Sequence, residues 1–485
     1  MNDLDLDKLF NPRNIALIGA SATLGKWGSI ILLNILNGGF EGPVYPVNPK
    51  EKTILELDCY PTVGDIPEPV DLAMITTPSK TVPSLIDECG AKSIPFVIVV
   101  TSNFSETGPE GAKMENEIVK KARGYGIRIV GPNTMGIFSA KSHLQALMPP
   151  VIPLHGPVSM FSQSGNLGTQ MLAWGESEGV GFEKFVSSGN EGDLTCVDYL
   201  RYFGKDATTR VILAYLEGVD PESELLSVAR EISHKKPIIV LKGGRTDIGG
   251  KAAASHSGAM AGSTHIYKAV FRQTGMVEVS SSQGLIDCAK AFSYLPIPRG
   301  NRVAILTRGG GWGVITADAC EENGLVVPPL PDDMIGKLNK ILPEYWSHGN
   351  PVDMVAVIRQ QPFLECLEIL ANWEGIDAII TSGGTGGMTF KSPKRSRLPK
   401  EIKAALVNSS NPSKKNARNL NKTITHIKKL VERTGKPIID ENLFPSELNM
   451  DLFEPVQAVS FPTPERAVRV LHLMAEYRRF LNSSI

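Results

Sequence analysis

A surplus of charge of either sign is the first thing this 485-residue chain lacks: 50 Lys and Arg stand against 51 Asp and Glu, a formal net charge of -1. Whole-chain electrostatics therefore offer no grip for nucleic acid or for an anionic membrane surface. Cysteine is also scarce. The six present (Cys59, Cys89, Cys196, Cys288, Cys320 and Cys366) are far apart in sequence. That spacing fits neither a zinc site nor a dense disulfide framework, and it points to reduced thiols in the cytoplasm. No apolar run approaches the ~20 residues that cross a bilayer. Met1 to Phe10 alternates Asp with Leu and has neither a basic start nor an apolar stretch, so no signal peptide is expected there. These absences predict a cytoplasmic protein with no nucleic-acid or membrane partner and no bound metal.

What is present is an α/β pattern. The composition is 42% hydrophobic and 21% charged, ordinary for a globular protein, and the length suggests about three domains at ~100–200 residues each. Short apolar runs at Ile15–Ile18, Val44–Val47, Leu72–Thr76, Phe96–Val100 and Ile127–Val130 alternate with helical stretches, which predicts a parallel sheet. After a proline-rich break at 149–153, strands are expected at Val158–Phe161, Lys184–Val186, Val211–Tyr215 and Pro237–Leu241. After a second break at 296–299 they are expected at Val303–Leu306, Ala378–Thr381 and Pro437–Ile439, with a closing helix from Pro464 to about Leu481. The predicted domains are 1–145, 150–296 and 298–485. Residues 391–429 hold twelve Lys and Arg and a single acid, Glu401, and read as a solvated surface.

In parallel α/β sheets, ligands bind beyond the carboxyl ends of the strands. In the first domain those ends carry Gly19-Ala20-Ser21, Asn48-Pro49-Lys50, Thr76-Thr77-Pro78, Thr101-Ser102 and Gly131-Pro132-Asn133. The run from Ile15 to Gly28 is a strand, a glycine-rich turn that includes Lys26, and a helix start. Such turns admit a phosphate close to backbone N–H groups. An NAD site usually adds an acid after the second strand to hold the ribose. Here that acid is missing and Lys50 is present, which suits a ligand with an extra phosphate such as CoA.

A second candidate site lies in the middle domain. Ser162-Gln163-Ser164-Gly165-Asn166 follows a strand and opens a helix, an anion-binding arrangement. The strand Val211–Tyr215 runs into Leu216-Glu217-Gly218, which places a carboxylate on the same edge. His256 sits among small residues in Ala253-Ala254-Ser255-His256-Ser257-Gly258. That is an accessible setting unlike an apolar helix face, and none of the other seven histidines shares it. A nucleophilic imidazole needs a carboxylate to fix its tautomer, and a phosphorylated one needs donors for the phosphate oxygens. Glu217 can meet the first need and the Ser164-Gly165-Asn166 turn the second.

Taken in order, Ile15–Gly28, Gly131-Pro132-Asn133, Ser162–Gly165, Glu217 and Ala254–Gly258 resemble the alpha subunit of ADP-forming acyl-CoA synthetases, in the succinyl-CoA synthetase superfamily. The resemblance covers essentially the whole chain. It implies a Rossmann-like CoA-binding domain followed by two flavodoxin-like α/β domains. It implies CoA on Gly19, Ala20, Ser21, Lys26, Asn48, Lys50, Thr76, Pro78 and Asn133. It also implies a phosphoryl group carried on His256, with Glu217 orienting the ring and Ser164, Gly165 and Asn166 stabilising the phosphate. ADP or ATP and Mg²⁺ would be handled by a partner, an ATP-grasp beta subunit in a hetero-oligomer, because no region of this sequence reads as an ATP-grasp domain. The other substrate would be a small carboxylic acid or its acyl-CoA. Two stretches of the third domain bear on the resemblance. Thr307-Arg308-Gly309-Gly310-Gly311-Trp312-Gly313 departs from the usual turn by adding a cation and a bulky aromatic, and Asn350-Pro351-Val352-Asp353 matches a family motif that also fits a turn before a helix. Two rival classes are an NAD-dependent oxidoreductase, disfavoured by the missing acid, and a non-catalytic CoA-sensing subunit, which has no use for Glu217 and His256 together. An acyl-CoA transferase or lyase on the same CoA domain would need no phosphohistidine.

Overall fold

The computed structural model describes residues 5–219, 224–251, 264–355, 357, 359–383, 399, 401, 414–442 and 459–483. The chain divides into two compact units, Met1–Ala289 and Lys290–Ile485.

The first unit holds two large sheets. Its strands are β1 Ile15–Ile18, β2 Val44–Val47, β3 Thr53–Ile54, β4 Leu57–Asp58, β5 Leu72–Ile75, β6 Phe96–Val99, β7 Arg128–Val130, β8 Gly136–Ser139, β9 Leu144–Leu147, β10 His155–Ser162, β11 Phe182–Ser187, β12 Val211–Leu216, β13 Ile238–Lys242 and β14 Val277–Val279. The first sheet is parallel in the order β2-β1-β5-β6-β7. β1, β5 and β6 are buried along their whole length, as continuous apolar runs covered on both faces should be. The second sheet has the order β14-β13-β12-β10-β11-β8-β9, and its first five strands are parallel. β8 and β9 form an antiparallel hairpin added to its edge through β11. That hairpin falls before residue 150 in sequence, yet it belongs to the second sheet. It also receives the helix Trp27–Asn37, where Asn34 Nδ2 donates to the carbonyls of Leu147 and Pro149 at 2.7 and 3.0 Å.

The second unit carries β15 Val303–Thr307, β16 Val352–Asp353, β17 Ala378–Ser382, β18 Ile438–Glu441 and β19 Ser460–Phe461, parallel in the order β16-β15-β17-β18-β19. All three sheets therefore wind alike. Among the parallel strands of each, the first two in chain order lie to one side and the rest to the other, so each has one reversal point, the place where ligands bind in such sheets. The α/β reading holds throughout. The first and third sheets also share a fastening. Arg13 reaches Asp71, just before β5, through its backbone N–H, Nε and Nη2. Arg302 reaches Asp377, just before β17, with the same three donors. In the first sheet the paired arginine holds the Asp71 carboxyl down at about 2.

All six cysteines are buried and free of disulfides. Among the described residues, no helix is long and apolar enough to cross a membrane.

Candidate functional site

The predicted first-domain residues gather at the carboxyl edge of the first sheet. Gly19, with φ +89°, turns the chain out of β1, and a Cβ on Gly28 would lie 2.1 Å from the Gly19 carbonyl oxygen. Only glycine at position 28 lets the helix start this close to the strand. Among the described residues no side chain caps that helix, and its first turn holds no acid, so its leading N–H groups face outward with Lys26 beside them. Lys26, Lys50 and Pro78 are exposed. Asn48, Thr76 and Ser21 are tied inward. Asn48 Nδ2 donates to Ala20 O at 2.7 Å and its Oδ1 accepts the Lys50 N–H at 2.9 Å. Thr76 Oγ1 donates to the carbonyls of Ile18 and Gly19, at 3.1 and 3.2 Å. Ser21 Oγ accepts the Thr23 N–H at 3.1 Å. These three shape the edge, and the exposed lysines and the free helix start present it.

Asn133, with φ +59°, links this edge to the second sheet. Its N–H donates to Thr101 O at 3.0 Å, and its Nδ2 donates to Asn190 Oδ1 at 3.2 Å. The loop 188–195 after β11 runs along 129–133. Asn190 N donates to Pro132 O and Gly192 N to Gly131 O, each at 3.0 Å, and Leu194 N to Ile129 O at 3.1 Å. A Cβ on Gly189 would meet Pro132 O at 2.3 Å, which explains the glycine. The Asp193 carboxylate, fully buried, accepts from Arg123 Nε, Arg128 Nε and Ile129 N, all at 2.8 Å. Sequence reading gave this loop no role. Its hydrogen bonds need a second sheet beside it, and no local pattern announces one.

The middle-domain residues meet at the ends of β10, β12 and β13. Ser164 caps the helix Gly165–Glu178, its side chain accepting the Leu167 N–H at 3.4 Å. Gly165 packs against Met135 and Ser187, where a Cβ would come within 2.4 Å of Met135 Cγ. Asn166 is exposed, and its Oδ1 accepts from Gln170 Nε2 at 2.9 Å, so its side chain lies along the helix. Glu217 is buried at the end of β12. Its N–H and that of Gly218 donate to Gln163 Oε1 at 2.6 and 3.1 Å, which joins the Ser162–Gly165 turn and the Glu217 turn into one cluster. The Tyr215 hydroxyl donates to Glu217 Oε1 at 3.3 Å, and burial, with Glu217 beside it, pushes that phenol up to about 12. Lys242 ends β13 and donates to Glu217 O at 2.7 Å; burial pulls its pKa down and Glu217 partly offsets this. Glu191, half-buried, accepts from Ser188 Oγ at 2.7 Å, and burial pushes its carboxyl up. His256 lies outside the described residues.

In the second unit the turn after β15 opens the helix Gly310–Glu322, which among the described residues has no side-chain cap. Arg308 does not stand free over it. Its Nη2 donates to Gln360 Oε1 at 2.9 Å and its guanidinium lies 4.9 Å from the Phe363 ring. Asn350 is structural: its Oδ1 accepts the Ile305 N–H, and its Nδ2 donates to the carbonyls of Val303 and Pro328, each bond at 3.0 Å.

Comparison with known proteins follows the same domain order. Models of a CoA binding domain, a succinyl-CoA ligase like flavodoxin domain and a Ligase-CoA domain match residues 13–140, 155–292 and 303–365. The chain is 42% identical over 358 residues to the alpha subunit of acetate–CoA ligase [ADP-forming] I of Pyrococcus furiosus, covering 73% of this chain and 77% of that one. It is 41% identical over 376 residues to acetate–CoA ligase [ADP-forming] I of Archaeoglobus fulgidus, spanning 78% of itself but only 54% of that relative. It thus spans about half of that longer chain. Among solved structures, the dinucleotide forming acetyl-coenzyme A synthetase 1 of Ca. Korarchaeum cryptofilum, in complex with phosphate and ADP, aligns over 99% of both chains at 35% identity and a TM-score of 0.84. With the domain models in this order and relatives above 30% identity aligned over most of their length, the chain belongs to the ADP-forming acyl-CoA synthetases of the succinyl-CoA synthetase superfamily, in the part that forms the alpha subunit of its two-subunit members.

Proposed function

We propose that this chain is the CoA-binding, phosphohistidine-carrying part of an ADP-forming acyl-CoA synthetase, which interconverts acyl-CoA, ADP and phosphate with a carboxylic acid, ATP and CoA. The observation that carries the reading is the cluster at the ends of β10 and β12, where Gln163 ties Glu217 to the start of the helix Gly165–Glu178.

In the acyl-CoA-consuming direction, phosphate oxygen attacks the thioester carbonyl, the C–S bond breaks, and acyl phosphate and CoA result. A ring nitrogen of His256 then takes the phosphoryl group, and the carboxylate leaves with the P–O bonding pair. The same phosphoryl group passes on to ADP. Glu217 accepts a hydrogen bond from the other ring nitrogen, which fixes the reactive tautomer and stabilises the charged ring. The N–H groups of the helix after Ser164 meet the phosphate oxygens. The side-chain oxygens of Ser164 and Asn166 accept from Leu167 and Gln170, which leaves the Ser164 O–H and the Asn166 Nδ2 as donors for the phosphate.

Lys26, Lys50 and the free start of the helix Trp27–Asn37 suit the phosphates of CoA, while Asn48, Thr76 and Ser21 hold the edge in shape. An ATP-grasp beta subunit with Mg²⁺ would supply the exchange with ADP.

Two measurements test this. Calorimetry should give binding of CoA and none of NAD. With a cognate ATP-grasp protein added, His256→Ala should abolish acyl-CoA synthesis while CoA binding persists. Tight NAD binding, or turnover by the Ala variant, would refute the assignment.

A further inference from the structure

Beyond Leu216 the chain leaves β12, so residues 217–219 have no sheet ladder to satisfy their main chain. A buried main-chain group left without a partner bears the full penalty of its lost hydration. Side chains supply the partners instead. Gln163 Oε1 accepts the N–H groups of both Glu217 and Gly218, and its Nε2 donates to Gly218 O at 2.8 Å. The amide oxygen faces two N–H donors and the amide nitrogen a carbonyl, which fixes the orientation of the group.

On the other side, Lys242 is 4% exposed and donates to the carbonyls of Glu217 and Gly243. Its ammonium also lies 4.5 Å from the centre of the Tyr267 ring. The Tyr267 hydroxyl in turn accepts the Val219 N–H at 3.1 Å. Both main-chain polar groups of Glu217 are thus held by side chains, one from the end of β10 and one from the end of β13. A carboxylate on a free loop would wander. This one leaves its main chain in a fixed direction, and a misplacement of ~1 Å in a reacting constellation can cost about a hundredfold in rate.

We propose that Gln163 and Lys242 are positioning residues for phosphoryl transfer, clamping the main chain of Glu217 so that its carboxylate is held toward the phosphorylated histidine. The proposal rests on the reading of Glu217 as the group that orients His256.

The test is a rapid-quench measurement of phosphoryl transfer from Mg·[γ-³²P]ATP to the full protein in the presence of its ATP-grasp partner. Gln163→Met keeps the length and removes the hydrogen bonds. It should slow labelling roughly 10- to 100-fold, with the CoA Kd and the KM for ATP unchanged. In the double variant with Glu217→Gln, labelling should be no slower than with Glu217→Gln alone, because placement is irrelevant once the carboxylate is gone. Wild-type rates for Gln163→Met, or two effects that multiply, would overturn the proposal. If Gln163→Met does not fold, Lys242→Gln enters the same cycle with the same expected outcomes. A wild-type protein that takes no label at all overturns the phosphohistidine reading itself, before any variant is compared.

Discussion

At the residue scale, the informative side chains are those whose partners come from distant strands. Asp71 is one. Held by Arg13 at about 2, below the ordinary carboxylate range near 4, it contributes stability that is complete above its unfolded pKa and is lost as pH falls toward 2. The melting-temperature gap between the native protein and Asp71→Asn should therefore be widest above pH 5 and close as pH falls from 4 to 2. A gap that stays constant with pH would show that the ion pair adds nothing. The same scale shows what sequence conveys about a site. The places of Glu217, the Ser164 turn and the lysines at 26 and 50 at the strand ends are legible, because each is a polar group just past an apolar run. The duties of Asn48, Thr76 and Asn166 are not. Whether an amide or hydroxyl is free for a ligand or spent on a carbonyl depends on a neighbouring strand or turn, as with Asn48 on Ala20 O and Thr76 on Ile18 O. Gln163 stood inside a recognised motif, and only the structure shows that its amide holds the Glu217 turn.

At the scale of elements, strand positions follow the apolar runs to within a few residues, because parallel strands covered on both faces must be apolar throughout. β8 and β9 went unread. They form an antiparallel pair of four residues each, and their place in the second sheet is set by pairing with β11, which sequence order does not reveal. The short edge strands β16 and β19, two residues each, carry too little pattern to be read. The turn after β1 gives an element-level prediction. Gly28→Ala would press a Cβ against the Gly19 carbonyl, and backbone on backbone cannot yield cheaply. We expect a loss of about 1–3 kcal/mol in denaturant unfolding, together with weaker CoA binding, since the helix start must move away from the strand. Unchanged stability and CoA affinity would mean that the close approach is not what shapes this edge.

At the scale of the molecule, one winding pattern is used three times, and each sheet presents its strand ends at one reversal point. In the first unit the loop 188–195 fastens the two edges together, so the edge that carries Lys26 and Lys50 and the Glu217 cluster belong to one body. That arrangement fits a chemistry in which an acyl phosphate made at one edge surrenders its phosphoryl group at the next. In the function proposed, His256 carries this group between sites. The most direct measurement is the chemistry of the label left on the protein after incubation with Mg·[γ-³²P]ATP and its ATP-grasp partner. A phosphoramidate on His256 is lost in acid, survives base, maps to the peptide containing Ser255-His256-Ser257, and is absent from His256→Ala. Acid-stable label on Ser255 or Ser257, or label retained by the Ala variant, would contradict the account.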